Sequence, residues 1–187
     1  MQNNPDFYYI PTGIDKTMSY HIIGLLEKDF LQDGKFGNKL ESEKFRKCKL
    51  QWISYNHWIS GMMAHYIQQA NEKFFKYDLT GWANDIQYTT YDEKNSHCTW
   101  HCDTGPDKFL NECEMRKLSI SLLLSGPDEY EGGEFQLQLC GRNDMVTLKP
   151  PLGYAIIFPS TSVHRVRHVK SGRRTCLVGW YGGPNFR

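Results

Sequence analysis

The stretch Leu118–Leu139, LSISLLLSGPDEYEGGEFQLQL, decides the fold class of this 187-residue chain. Its first seven residues alternate and then run apolar, as a half-buried strand does on entering a core. Ser125-Gly126-Pro127 and Gly132-Gly133 break the run with turn chemistry. Glu134–Leu139 then alternates again. Working outward, the same period of two extends from about Asp85 onward. The strands it predicts are Asp85–Tyr91, Trp100–Asp103, Leu118–Leu124, Glu134–Leu139, Met145–Leu148, Tyr154–Phe158, His164–His168 and Arg174–Tyr181. Gly141, Pro150-Pro151-Leu152-Gly153 and Ser171-Gly172 supply further turns. Eight short strands with such punctuation predict a double-sheet jelly roll.

The front of the chain has the other period. Asp15 to about Phe30 sets Met18, Ile22, Leu25, Leu26 and Phe30 at helical spacing. A second helix is predicted from Ser54 or Asn56, both good N-caps. Its stripe is Trp58, Ile59, Met62, Met63, Tyr66, Ile67, Ala70 and Phe74. Gln32–Lys49 is charged, holds two glycines and reads as a mobile surface connection. The expected fold class is therefore α+β, mainly β: a double-stranded β-helix with N-terminal helices packed on the larger sheet. The expected organisation is one domain over 1–187, with a helical front at 1–84 and a jelly-roll core at 85–187.

Composition narrows the function classes. With 40 % hydrophobic and 23 % charged residues the chain is an ordinary folded protein rather than a disordered one. A formal charge of +1 leaves no footprint for nucleic acid or an anionic membrane. There is no apolar run of spanning length and no signal-peptide h-region, so a cytoplasmic location is expected. In that compartment the cysteines at 48, 98, 102, 113, 140 and 176 are expected to be free thiols. The oligomeric state is not readable.

Within this frame, His101-x-Asp103 is followed 61 residues later by His164 and ten after that by Arg174. Two histidines and a carboxylate can hold one face of an iron(II) ion and leave the other open. Residues two apart on a strand face one side, so His101 and Asp103 can reach one ion, while His164 must come from a distant strand. If Arg174 points into the barrel, so do Cys176, Val178 and Trp180. Arg173 is the rival for that inward place. A guanidinium fork suits a carboxylate ligand.

With GYAIIFPSTSVHRV at 153–166, Ser171-Gly172-Arg173-Arg174, Trp180, and the block from Arg116 to Glu134, the chain resembles the 2-oxoglutarate- and iron(II)-dependent oxygenases. Within them it resembles the prolyl 4-hydroxylase-like group, most closely the bacterial and phage branch called PKHD-type hydroxylases. The resemblance covers roughly residues 77 to 183. It implies that His101, Asp103 and His164 are the iron ligands and catalytic centre. It implies that Arg174 pairs with the distal carboxylate of 2-oxoglutarate, and that Tyr91, ten residues before His101, lines the cosubstrate pocket. Trp180 matches an aromatic residue on the final strand. The ten-residue spacing from His164 and the six residues to Trp180 select Arg174 over Arg173. Some animal oxygen-sensing relatives carry a tyrosine on the strand that here is Leu118–Leu124. None is present, and Tyr91, Ser119 or Ser121 are the candidates to replace it.

The implied cofactors are Fe(II), 2-oxoglutarate and O2, with ascorbate (vitamin C) as a reductant. The implied reaction is hydroxylation of a C–H bond of a peptidyl proline or other protein residue, with release of succinate and CO2. Two other functions stay open: a hydroxylase of a free amino acid or small metabolite, and a non-catalytic jelly-roll binding module. The expected partner is thus a protein, peptide or amino-acid substrate, with no nucleic acid and no membrane. Substrate-gripping loops are sought in Gln32–Lys49, Asp92–Thr99 and Thr104–Met115. His97, Cys98, His101 and Cys102 have zinc-like spacing, but a zinc site there would leave His164 and Arg174 without a role. Cys98 and Cys102 are expected as thiols near the pocket mouth, open to oxidation. His97 is a loop residue or a substrate contact, and His168 shares the strand face of His164.

Overall fold

The computed structural model describes residues 6–28, 31–34, 44–92, 94–104, 114–139 and 144–185. Phe30, Gly141, Cys113, Cys140 and the middles of two candidate substrate loops (35–43 and 105–113) lie outside the described residues.

Two sheets face each other. In the larger, β1 (Tyr8–Pro11), β12 (Tyr154–Pro159), β8 (Glu114–Leu123), β15 (Arg174–Pro184), β6 (Ile86–Tyr91), β4 (Lys49–Ile53) and β2 (Gln32–Asp33) lie side by side in that order, and β5 (Gly81–Trp82) pairs with β15. The smaller runs β11 (Met145–Leu148), β10 (Phe135–Gln138), β13 (His164–Val166), β7 (His97–His101) and β3 (Arg46–Lys47). A two-stranded ribbon joins β9 (Tyr130–Gly132) to β14 (Val169–Gly172). Two antiparallel sheets packed with long crossovers make the expected jelly roll.

The period of two divides the larger sheet between two cores. On β8, Leu118, Ile120 and Leu122 pack against the helices with Ile157 and Leu177. Leu123 faces inward with Ile156, Phe158 and Cys176. The helical stripe comes from α1 (Lys16–Leu26) and α2 (Trp58–Ala70), which bury Ile22, Leu26, Ile59, Met63, Ile67 and Ala70 on that outer face. Each large apolar side chain so buried contributes about 1.5–3 kcal/mol relative to exposure.

Several expectations shift. Helix α1 ends at Leu26, and Met18 and Leu25 face solvent. Its sheet-facing row is Ser19-Ile22-Leu26, because the Ser19 hydroxyl donates to the Leu124 carbonyl. The N-cap of α2 is His57, whose Nδ1 accepts from the Ile59 amide at 3.3 Å, rather than Ser54 or Asn56. Trp58 is exposed, and a π-helical turn, Asn71–Phe75, follows α2. The segment before residue 85 is not purely helical: β1 to β5 belong to the two sheets. Gln32–Lys49, read as a surface connection, supplies β2 and β3, and Cys48 between β3 and β4 is buried. Strand β13 stops at Val166, so His168 leaves the face of His164 and its ring lies 4.3 Å from that of His97. Among the described residues no helix is long and apolar enough to cross a membrane.

Candidate active site

Strand β13 pairs with β7 so that His164 stands directly across from His101. Asp103 lies beyond the end of β7 rather than on it. A turn, not strand alternation, therefore aims its carboxylate. Its backbone N–H donates to the Ser160 carbonyl at 2.8 Å, which fixes the turn against the end of β12. His101 Nε2 lies 3.7 Å from Asp103 Oδ1, and His164 Nε2 lies 3.6 Å from Asp103 Oδ2. Those separations are long for hydrogen bonds. Both imidazoles thus stand near the two oxygens of one carboxylate at separations that suit ligands around a shared ion better than hydrogen bonds. Among the described residues this is the group whose ligand atoms converge, all within 4.8 Å of one another.

The imidazoles are oriented for that task. His101 Nδ1 donates to the Thr99 carbonyl at 2.7 Å, and His164 Nδ1 donates to the Ser162 carbonyl at 2.9 Å. A carbonyl can only accept, so each Nδ1 carries a proton, and each Nε2 is turned toward the shared point, where the neutral ring would offer its lone pair to a metal. Asp103 Oδ2 accepts from the Ser119 hydroxyl at 2.7 Å, and Ser119 is in turn 2.9 Å from Ser160. Burial alone would raise the Asp103 carboxyl; the imidazoles of His164 and His101 and the Ser119 hydroxyl hold it below its ordinary value. Ser119 thus bonds the carboxylate of the cluster, not the far end of the pocket.

These groups open onto a cavity of about 230 Å³, with Trp52, Gln87, Arg116 and Trp180 on its lining. Tyr91 and Cys176 form part of the wall, and Arg174 sits behind them, 1 % exposed. Its guanidinium carbon is 5.4 Å from the Tyr91 ring centroid, and Nη1 donates to Cys176 Sγ at 3.2 Å. Its Nε and Nη2 are buried without a hydrogen-bond partner. Arg173 turns to the outer face instead. There it donates to Thr90 Oγ1 at 2.9 Å and pairs with Glu27 at the end of α1.

Tyr130 is the site residue that reading the sequence missed. Its ring and the Arg174 side chain both crowd Gly133, where a Cβ would fall 3.2 Å from Tyr130 Cδ2 and 3.1 Å from Arg174 Cδ. Gly133 has φ +64°, so glycine is required there on both counts. The Tyr130 hydroxyl is also buried without a hydrogen-bond partner. Burial pushes this phenol up, against the opposing pull of Arg174. A buried orphan hydroxyl beside a buried guanidinium with two orphan N–H groups is costly unless a ligand completes it. The available signal was the Gly132-Gly133 pair, which folds Tyr130 back toward the strand carrying Arg174. Of the two thiols expected near the mouth, Cys98 lines the cavity and is buried, while Cys102 donates to the Thr104 carbonyl at 2.8 Å and is not on the lining.

A jelly roll with two histidines and a carboxylate at one point, open on one side to a pocket, defines a mononuclear metal-dependent oxygenase type of site. The family model of the 2OG-Fe(II) oxygenase superfamily matches residues 86–182, and the chain belongs to that family. A PKHD-type hydroxylase of Picosynechococcus sp. is 44 % identical over 106 residues, covering 52 % of this chain and 48 % of that protein. Another, of Hyphomonas neptunium, is 44 % identical over 63 residues, covering 34 % and 27 %. The chain thus spans between about a quarter and a half of the length of these two curated relatives. Among solved structures, a prolyl hydroxylase from Trichoplax adhaerens, in complex with a hypoxia inducible factor peptide fragment, superposes with TM-score 0.75 at 17 % identity, covering 96 % of this chain and 84 % of that one. A Pseudomonas putida prolyl-4-hydroxylase gives 0.69 at 15 % identity, covering 94 % and 91 %. Both show the fold.

The residues present fit the family's metal and cosubstrate. Two imidazoles and a carboxylate suit a divalent iron. The unpartnered donors of Arg174 and Tyr130 suit the carboxylate end of 2-oxoglutarate.

Proposed function

We propose that this chain is a 2-oxoglutarate- and Fe(II)-dependent dioxygenase that hydroxylates a C–H bond of a peptidyl proline or another protein residue, releasing succinate and CO2. The observation that carries the reading is the pairing of a three-donor cluster at the cavity with a buried guanidinium that has two free N–H groups behind it. A non-catalytic module would have no use for both. The peptide held by the Trichoplax neighbour and the hydroxylase names of the curated relatives support a protein substrate.

In this reading His101, Asp103 and His164 hold the metal. Iron(II) with 2-oxoglutarate and O2 supplies oxidative decarboxylation coupled to hydroxylation. The chain's own groups do the positioning. The carbonyls of Thr99 and Ser162 fix both rings with Nε2 toward the metal position, and Ser119 keeps the Asp103 carboxylate aimed. Arg174 and Tyr130 anchor the far carboxylate of the cosubstrate, with Tyr91 packed across the guanidinium. Phe135, Phe158 and Val166 line the cavity near the cluster and exclude water from it.

The test is anaerobic addition of Fe(II) and then 2-oxoglutarate to the intact protein. A visible metal-to-ligand charge-transfer band is expected, followed by succinate formation with O2 and a peptide panel. Absence of the band in folded, metal-loaded protein would sink the reading.

A further inference from the structure

Arg46 is a partly buried guanidinium on the lining of this cavity with no part in holding the metal or the cosubstrate. It lies on β3, the short edge strand of the smaller sheet, opposite Cys98 of β7. Its neighbour Phe45 packs edge-on against the His101 ring, 5.6 Å between centroids. Unlike Arg174, Arg46 is on the cavity lining itself. It reaches across the mouth to the larger sheet, where Nη2 donates to Gln87 Oε1 at 2.7 Å, and Nε donates to Cys48 Sγ at 3.0 Å.

Neither partner balances its charge. Gln87 is neutral. Burial pushes the Cys48 thiol and the nearby Tyr91 phenol up from their ordinary values, so neither is an anion at neutral pH. Among the described residues Asp103 is the one carboxylate on the lining, and it belongs to the metal cluster. With the metal and cosubstrate counted, iron(II) and Arg174 balance Asp103 and the two carboxylates of 2-oxoglutarate. Arg46 and Arg116 are then the further cations on the lining: Arg116 is bonded to Asn84 Oδ1 and lies 4.2 Å from the Trp180 ring centroid, whereas Arg46 donates to the neutral Gln87 and Cys48. A clasp between two sheets needs hydrogen bonds but no charge, and a buried charge without a counter-ion is costly.

Resting on the oxygenase reading above, we propose that the primary substrate presents a carboxylate to Arg46, which makes Arg46 a specificity residue distinct from the cosubstrate anchor Arg174. The carboxylate is that of a free amino acid or that of an acidic residue in a peptide.

The probes are the free L-amino acids against their amides, and blocked peptides containing Glu or Asp against the same peptides with Gln or Asn. They are titrated anaerobically into the Fe(II)- and 2-oxoglutarate-loaded protein, and binding is read by the fluorescence of Trp52 and Trp180 on the cavity lining. At least one carboxylate probe should bind about tenfold or more tightly than its amide, as a charge-assisted hydrogen bond predicts. Its group, free amino acids or peptides, identifies the source. Arg46→Gln should erase the preference with 2-oxoglutarate affinity unaltered, and Arg46→Lys should retain part of it. Equal binding of acid and amide, or no binding by any carboxylate probe, overturns the proposal while the charge-transfer band stands. So does an Arg46→Gln effect on 2-oxoglutarate affinity alone. Loss of the band in the unaltered protein overturns the oxygenase reading, and this proposal with it. The acid–amide comparison needs no variant, so it holds even if Arg46→Gln does not fold.

Discussion

The Ser119 hydroxyl donates to Asp103 Oδ2 at 2.7 Å from the inner face of β8. It joins a central strand of the larger sheet to the carboxylate that faces both imidazoles. Partners of this kind set how well a ligand is presented to a metal. Ser119→Ala should therefore weaken Fe(II) affinity about 10- to 100-fold and leave the far-ultraviolet circular dichroism unchanged. Metal titration against a competing chelator measures it, and wild-type affinity in the variant would remove Ser119 from the metal's support.

The two adjacent arginines should separate cleanly. Arg174→Gln removes the buried charge proposed to anchor the cosubstrate, so the 2-oxoglutarate requirement should rise by about 30-fold or more, corresponding to a loss of about 2–5 kcal/mol. Arg173→Gln breaks a half-exposed tie to Glu27 and Thr90, worth about 1 kcal/mol or less. It should lower the melting temperature slightly and leave the 2-oxoglutarate requirement alone. Equal kinetic effects would refute the assignment of the inward face to cosubstrate.

Tyr130→Phe should weaken 2-oxoglutarate binding about tenfold, the value of one hydrogen bond to a charged group. The ligand-free variant should be as stable as the parent or more so, because a buried hydroxyl without a partner is removed. Calorimetry with and without 2-oxoglutarate tests both signs. A destabilised ligand-free variant with unchanged affinity would make Tyr130 a packing residue.

Acid should act on the α1 tie. Burial would raise the Glu27 carboxyl, but Arg173 and the Tyr88 hydroxyl hold it below its ordinary 4.5. A carboxylate lowered in the fold contributes stability above its unfolded value, and that stability is lost as pH falls through the folded one. Denaturant midpoints should therefore fall on acidification below about pH 4.5, and Glu27→Gln should flatten that part of the profile. An unchanged slope in Glu27→Gln would show that Glu27 is not linked to folding.

Most strands of the back half were legible because they carry enough alternation between turn residues to declare themselves; Met145–Leu148 matches to the residue. The strand expected at Trp100–Asp103 lies instead at His97–His101, and Tyr130–Gly132 and Val169–Gly172, short and ending in glycine, pair as a ribbon where turns were read. The front strands were not. Tyr8–Pro11 has four residues and ends in proline, and what makes it a strand is its pairing with Tyr154–Ile157 far along the chain. Lys49–Ile53 begins where a charged segment ends and is only five residues long, and its partner Ile86–Tyr91 decides it. Asp103 shows a different gap. Its two-residue spacing from His101 suggested a shared strand face, whereas a turn fixed to Ser160 positions it. Tyr130 was illegible as a site residue because its role depends on how tightly the Gly132-Gly133 turn folds against β14 and Arg174, a three-dimensional fact with no local period.

The alternation of β8 between two cores has a consequence for how such a protein changes over generations. Leu118, Ile120 and Leu122 touch the helical layer, while Ser119 and Ser121 sit on the catalytic side of the same strand. Drift at the even positions is screened by folding, and drift at the odd positions by turnover and substrate choice. A lineage can thus explore new substrates through Ser121 and its neighbours on β15 and β6 without reopening the packing that keeps the molecule folded.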